Sequence, residues 1–261
     1  MRVFKLGCSR SLILGNPILS TLFCLPVFTL VILGTELGTA SMAQAEDVKK
    51  EVKKAIPSAS STANSLVEEF ISKALPMEFE GKTQTAYALS GNALEATVRN
   101  SASALVLPFD KVRSVKSVSF DWCTTRDLTK ITRDSEKTKA GDDAALRIGL
   151  LLQGNPPVIP MFVPTWIKKL EKIVKFPTDR VLYLTAGVAS PPGATWVSPY
   201  TKYMSMIVLH SAPKKLSWCK NGYSASYTLP SEVQVTGLWY MADGDDTLQS
   251  FTTWITAIEI K

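Results

Sequence analysis

The sequence predicts a mainly β protein, an antiparallel β-sandwich, and three observations carry that prediction. Beyond Met77 apolar and polar residues alternate with period two, turn residues recur at short and regular intervals, and few helical stretches intervene. The series ends in two apolar strands, Val233–Met241 and Phe251–Ile260, which flank the acidic turn Asp243-Gly244-Asp245-Asp246-Thr247. Everything upstream reads as partners for that pair.

The first 45 residues read as a leader rather than as fold. Arg2, Lys5 and Arg10 precede an almost wholly apolar run from Ile18 to Leu33, and Ala43-Gln44-Ala45 forms a small-residue cleavage site before Glu46. That is the anatomy of a secretory signal peptide cleaved after Ala45, so the expected location is periplasmic or secreted, in a bacterium. An uncleaved anchor is the alternative, but Pro26 interrupts the run. Cys24 lacks the small residues that precede a lipid-modified cysteine.

Cleavage takes Arg2, Lys5, Arg10 and Glu36 from 29 basic and 23 acidic residues, leaving 26 and 22 in a mature chain of 216 residues, a net +4. An excess that small, and spread along the chain, excludes the clustered basic stripe of a nucleic-acid-binding protein. Only Cys123 and Cys219 remain after cleavage, and an oxidising compartment favours a disulfide between them. A structural zinc site lacks ligands, because the chain has one histidine and no second cysteine pair.

In order, Glu46–Ile56 is a charged helical segment and Pro57–Asn64 a Ser/Ala-rich linker. A helix follows, with Ser65 and Glu68 as a capping box and Leu66, Val67, Phe70, Ile71 and Ala74 as its apolar stripe, ended by Pro76. The division is therefore a leader over 1–45, a helical N-terminal segment and linker over 46–76, and a sandwich domain over 77–261. Its expected strands are Thr85–Leu89 and Ala93–Val98 around the hairpin signal Ser90-Gly91-Asn92, then Ala102–Leu107, Val115–Thr124, Ala144–Gln153, Val181–Ala186 and Tyr203–His210.

One amphipathic helix, Pro164–Phe176, is inserted among them. Trp166, Ile167, Leu170, Ile173 and Val174 lie on one side and Lys168, Lys169, Lys172 and Lys175 on the other. Such a helix either packs its stripe on the sandwich or makes a membrane-surface contact with anionic lipid or glycan.

Alternation also sorts faces. Leu146, Ile148, Leu150 and Leu152 point to the core, leaving Asp143, Ala145, Arg147 and Gly149 on an open face. Asp143 and Arg147 then sit about 13 Å apart at about 3.3 Å per residue. Val118, Phe120 and Trp122 are core on their strand, with Ser117, Ser119, Asp121 and Cys123 opposite. A polar face carrying Asp121, Asp143 and Arg147 is a ready binding surface.

The acidic turn offers chemistry of its own. Asp243, Asp245 and Asp246 are hard oxygen ligands in a short loop, which suits calcium, although the spacing is not that of an EF-hand. A plain polar turn, its aspartates bonded to nearby amides, explains the same residues. The only histidine, His210, ends an apolar strand with no G-x-S-x-G near it, so a Ser/His/Asp triad is excluded. Paired carboxylates, Asp143 with Asp243 or Asp245, could run glycoside hydrolysis without a histidine.

Several separated motifs carry a resemblance. Gly141-Asp142-Asp143 followed by Arg147, Pro199-Tyr200-Thr201 leading into Met206–Leu209, Met241-x-Asp243-x-Asp245-x-Thr247, Thr85-x-Tyr87 and Ser101-Ala102-x-Ala104-Leu105 occur in that family pattern. The chain from about Phe79 to Ile260 resembles an uncharacterised family of exported bacterial proteins defined by a domain of unknown function, DUF3047. The resemblance implies a sandwich of the jelly-roll or galactose-binding-like kind, with no established activity. Thr185, Phe120, Asp246 and Leu248 depart from it, standing where the family pattern has Trp, Trp, Asn and Gly.

The reading that follows is a non-catalytic exported β-sandwich that binds glycan, polysaccharide or another envelope component. Its expected site residues are Asp142, Asp143, Arg147, Asp243 and Asp245. A carbohydrate-active hydrolase or lyase using paired carboxylates, and a structural envelope protein, are the alternatives.

Overall fold

The computed structural model describes residues 66–130, 132–133, 135–155 and 165–261. The expected leader, the Glu46–Ile56 helix, the Pro57–Asn64 linker and the Ser65 cap lie outside the described residues. Among the described residues no helix is long and apolar enough to cross a membrane.

The protein is mainly β, with one large and mostly antiparallel sheet. Helix α1 (Leu66–Lys73) leads into β1 (Leu75–Glu78), β2 (Ala86–Ser90), β3 (Ala93–Arg99) and β4 (Ser103–Thr124). Strand β5 (Leu146–Gln153) and helix α2 (Thr165–Leu170) follow, then β6 (Thr178–Ala186), β7 (Thr195–Val197), β8 (Met204–Val208), β9 (His210–Pro213), β10 (Gly222–Met241) and β11 (Ser250–Ile260). Their order in the sheet is β2-β3-β11-β4-β10-β5-β6-β8-β7, with β1 paired to β4 and β9 to β10. The pairing of β6 with β8 is parallel, an exception to the expected antiparallel order.

Two long strands hold this sheet together. Ala102–Leu107 and Val115–Thr124, expected as separate strands, are one 22-residue strand. Pro108 marks the apparent break, yet it falls where the pairing slips: Val235 of β10 opposes Arg113 while Gly237 opposes Pro108. The intervening β4 residues bulge, and a bulge is where a strand tolerates proline and bends. Strand β10 likewise begins eleven residues before the expected Val233, at Gly222. The first half of β4 pairs with β1 and the second with β11, so β4 and β10 run through both ends of the sheet.

Those ends share one core. Leu94 and Val98 of β3, Phe120 and Trp122 of β4 and Ile255 of β11 belong to the same buried cluster as Leu146, Ile148 and Leu150 of β5 and Tyr240 of β10. Val67 and Phe70 of α1 complete it, as the stripe of that helix requires.

The opposite face of β5, expected to be open, is covered. Val106, Leu151, Val181, Tyr183, Trp239 and Met241 form a second cluster there, closed over by Leu170 of α2. Trp239 is its centre: Phe79 stacks on it at 6.0 Å, and Trp166 and Tyr183 meet it edge-on at 6.3 and 6.0 Å. Gly149 leaves room for that indole, because a Cβ there would come within 2.9 Å of the Trp239 Cβ. The inserted helix thus turns Ile167 and Leu170 inward, and among the described residues of the expected Pro164–Phe176 span only Thr165–Leu170 is α-helical. Its apolar stripe is spent on the sheet, while Lys169 donates to the Glu78 carbonyl at 2.9 Å.

Cys123 and Cys219 are joined by a disulfide, with Cα atoms 6.4 Å apart, and Ala93, Trp218 and Trp254 bury it. Replacing both cysteines by serine is expected to lower unfolding stability by about 2–4 kcal/mol. Urea denaturation measures the loss; an unchanged midpoint would show that the crosslink contributes nothing to the fold.

Candidate functional site

Antiparallel register builds the site. Met241 at the end of β10 pairs with Arg147 at the start of β5, and the Asp243 amide donates to the Ala144 carbonyl at 3.3 Å. The loop that enters β5 and the turn that leaves β10 therefore lie side by side, although a hundred residues of chain separate them. Asp142, Asp143, Arg147, Asp243 and Asp245, the five expected site residues, come together at this end of the two central strands.

Their roles differ from those of an open polar face. Arg147 is buried, 3 % exposed, and clamps two carboxylates. Its Nη1 donates to Asp243 Oδ2 at 2.5 Å and its Nη2 to Asp142 Oδ1 at 2.7 Å and to the Asp142 carbonyl at 3.0 Å. The Ala144 amide donates to the other Asp243 oxygen at 2.9 Å. Asp143 turns the other way and organises the acidic turn, accepting from the Asp246 amide at 3.3 Å, the Thr247 amide at 2.7 Å and the Thr247 hydroxyl at 2.5 Å. Asp121 does not join them. It lies near the far end of β4, where its carboxylate takes the Lys214 ammonium at 2.6 Å.

The rim of the site adds residues that alternation could not reveal. Tyr200, in the crossover between β6 and β8, donates to the Asp246 carboxylate at 2.7 Å. Lys82 pairs with Asp245 and, at 3.4 Å, with Asp246. Ser198 donates to Asp142 at 3.5 Å. Beneath the turn, the Thr85 hydroxyl donates to the Ala242 carbonyl at 3.1 Å and the Gly244 amide to the Ser101 carbonyl at 3.1 Å. The Pro199-Tyr200-Thr201 motif is the sequence signal for Tyr200, whereas nothing in the local pattern marks Lys82 or Tyr183.

Beside this network is a cavity of about 370 Å³. Phe79, Trp166, Tyr183 and the methionines Met204, Met206 and Met241 give it an apolar wall. Asp142, Asp243, Asp245 and Asp246, with Lys82 and Tyr200, give it a polar one. Asp143 does not line it, so the carboxylates that face the cavity from the clamp are Asp142 and Asp243 rather than the expected pairs built on Asp143.

Electrostatics follow from burial. One guanidinium cannot neutralise two buried carboxylates, so the clamp holds a proton well above the usual carboxylate range. Burial pushes Asp142 up to about 6 and Asp243 up to about 8, with Arg147 opposing each shift. For Arg147 the two aspartates outweigh burial and keep it charged. Burial also raises Asp246, against the hydrogen bond from Tyr200, and the hydrogen bond to Asp245 raises Lys82.

Of the three acids expected to hold calcium, Asp245 and Asp246 lie together and Asp243 does not join them. Asp243 is turned to Arg147 and away from the turn; the acids whose oxygens gather within 4.8 Å are Asp143, Asp245 and Asp246. Within the protein, Asp143 accepts from Thr247, Asp245 pairs with Lys82 through one oxygen, and Asp246 accepts from Tyr200. Leu248 takes a left-handed conformation at φ 54°, the region that favours glycine.

The convergence of separated motifs on one network is what a family pattern looks like in three dimensions. The family model described as Protein of unknown function (DUF3047) matches residues 75–259. The chain belongs to this family. No curated protein matches it. Within the DUF3047 match, Asp142, Arg147, Tyr200 and Asp243 come from three stretches, and the register of β5 with β10 together with the β6–β8 crossover joins them.

Two outcomes test the clamp. Arg147→Met leaves two buried carboxylates without a counter-charge and is expected to cost about 3–5 kcal/mol. Adding Asp142→Asn and Asp243→Asn should recover part of that loss in urea denaturation, and no recovery would show that the clamp is not the cause. The pH dependence has a definite sign. Both folded-state values lie above the ordinary 3.8, so these two groups stabilise the folded protein most at low pH; their contribution falls once pH passes about 4, where the unfolded carboxylates ionise, and is gone as pH rises through 6 for Asp142 and 8 for Asp243. Between pH 6 and 8 unfolding stability should fall by up to about 1.4 kcal/mol per pH unit, the slope of one proton. A stability that rises from pH 6 to 8 would refute the assignment.

Proposed function

We propose that this protein is a non-catalytic binder of a saccharide component of the cell envelope, acting after export, with the cavity beside the Arg147 clamp as its site. The observation that carries this reading is the two-sided cavity. A sugar ring has an apolar face that packs on aromatic side chains and an edge of hydroxyls that donate to carboxylates. Trp166 and Tyr183 on one wall and Asp142, Asp245 and Asp246 on the other supply that combination. Its volume is near the lower end of small-molecule sites, which span about 300–1,000 Å³, so a compact ligand suits it. Export is supported by the leader, from Arg2 to Ala45.

Absence of turnover is supported by how the acids are used. Asp243 spends both oxygens on Arg147 and the Ala144 amide, and Asp143 spends its own on the turn. A hydrolase or lyase is the second reading, favoured by the raised values of Asp142 and Asp243, which keep a proton available near neutral pH.

Purified protein on an array of neutral, acidic and basic saccharides should bind a defined subset. Trp166→Ala and, independently, Tyr200→Phe should weaken that binding about tenfold or more, since a lost stacking or hydrogen-bonding contact is worth about 1–2 kcal/mol. A silent array rules the saccharide reading out, and release of reducing ends from a bound glycan would favour the hydrolase.

A further inference from the structure

We propose that the ligand of this cavity carries an ammonium group, so that the site takes a sugar with a free amine in preference to its neutral or N-acetylated counterpart. The inference rests on the saccharide reading above and adds the charge of the ligand to it.

The cavity has more acid than base. Glu80, Asp142, Asp243, Asp245 and Asp246 line it, and among the described residues Lys82 is the only basic one that does. Lys82 is shared between Asp245 and Asp246, and behind the wall the single charge of Arg147 is shared between Asp142 and Asp243. At the rim one cation serves two carboxylates, whereas the clamp pair balances Arg147 by keeping a proton, so the uncompensated negative charge of the cavity lies with Asp245, Asp246 and Glu80. A neutral sugar leaves that imbalance as it is, and an acidic one increases it. An ammonium reduces it, and the rim already demonstrates the chemistry with the Lys82 ammonium docked on two aspartates.

The opposite wall points the same way independently. Tyr183 is 2 % exposed and lines the cavity, yet its hydroxyl has no hydrogen-bond partner among the described residues. That hydroxyl opens to the cavity rather than being sealed in the core, so a ligand seated there can bond to it. The phenol oxygen can accept from an ammonium. The Trp166 indole N–H is also buried without an acceptor, and a ring or hydroxyl oxygen of the sugar would provide one. The Tyr183 ring already lies under the Arg147 guanidinium at 5.8 Å, and the Trp166 ring attracts a further cation through its quadrupole, most strongly where water is excluded.

Calorimetric titration of the purified protein with the glucosamine disaccharide and with its di-N-acetylated form, in slightly acidic buffer where the amine is charged, separates the possibilities. The free amine should bind about tenfold tighter or more, the size of a partly desolvated cation contact, and the advantage should shrink as salt rises. Glu80→Gln combined with Asp245→Asn, both at the rim, should reduce the preference without unfolding the protein. Equal affinity for the two disaccharides, or tighter binding of the acetylated one, overturns the ammonium inference while leaving saccharide binding intact. Binding of neither, together with a silent array, sinks both.

Discussion

A buried guanidinium held between two aspartates from distant parts of the chain is the constraint on which the functional end of this molecule depends. Arg147 leaves β5 into a face closed by Trp239, Tyr183 and Met241, where an unpaired charge could not remain. Asp142 from the loop before β5 and Asp243 from the turn after β10 are therefore drawn to it. Once they are fixed, Asp143 is free to bond the turn amides, and the turn presents Asp245 and Asp246 to Lys82 and Tyr200. The cost of burying three charged groups is offset only while all of them are paired, so the network behaves as one unit.

Trp239 is the apolar counterpart of that clamp. It occupies the same face, two residues before Met241, and Phe79, Trp166 and Tyr183 gather around it from the turn after β1, from α2 and from β6. Gly149 lets β10 bring Trp239 close to β5, where a Cβ would collide with Val181 and Trp239. One strand end thus supports both walls of the cavity, through Trp239 for the aromatic wall and through Asp243 for the acidic one. Function is read from that shared support rather than from the sheet, which any number of activities could use.

Much of the sheet was legible in the residues. Alternation placed β2, β3, β5, β6 and β11 close to their observed bounds, because a strand with one buried face writes its period into its own side chains. The two long strands were less legible. Pro108 and Asp110 look like a break, and only the slip of β4 against β10 shows that the chain continues as a bulge. The three-residue β7 carries too little pattern to be seen alone, and its pairing with β8 is what makes it a strand.

By itself the sequence determined the β class, the disulfide partners and the identity of five acids and bases that meet, because period, cysteine count and motif order are properties of short stretches. Tertiary structure alone decided that Arg147 is buried rather than displayed, that Asp143 braces a turn while Asp142 faces a cavity, and that Asp121 stands apart with Lys214. The physical reason is that burial depends on what packs against a face. The aromatic residues that close the face of β5 are Phe79, Trp166, Tyr183 and Trp239, from four separate stretches of the chain whose meeting no local pattern records.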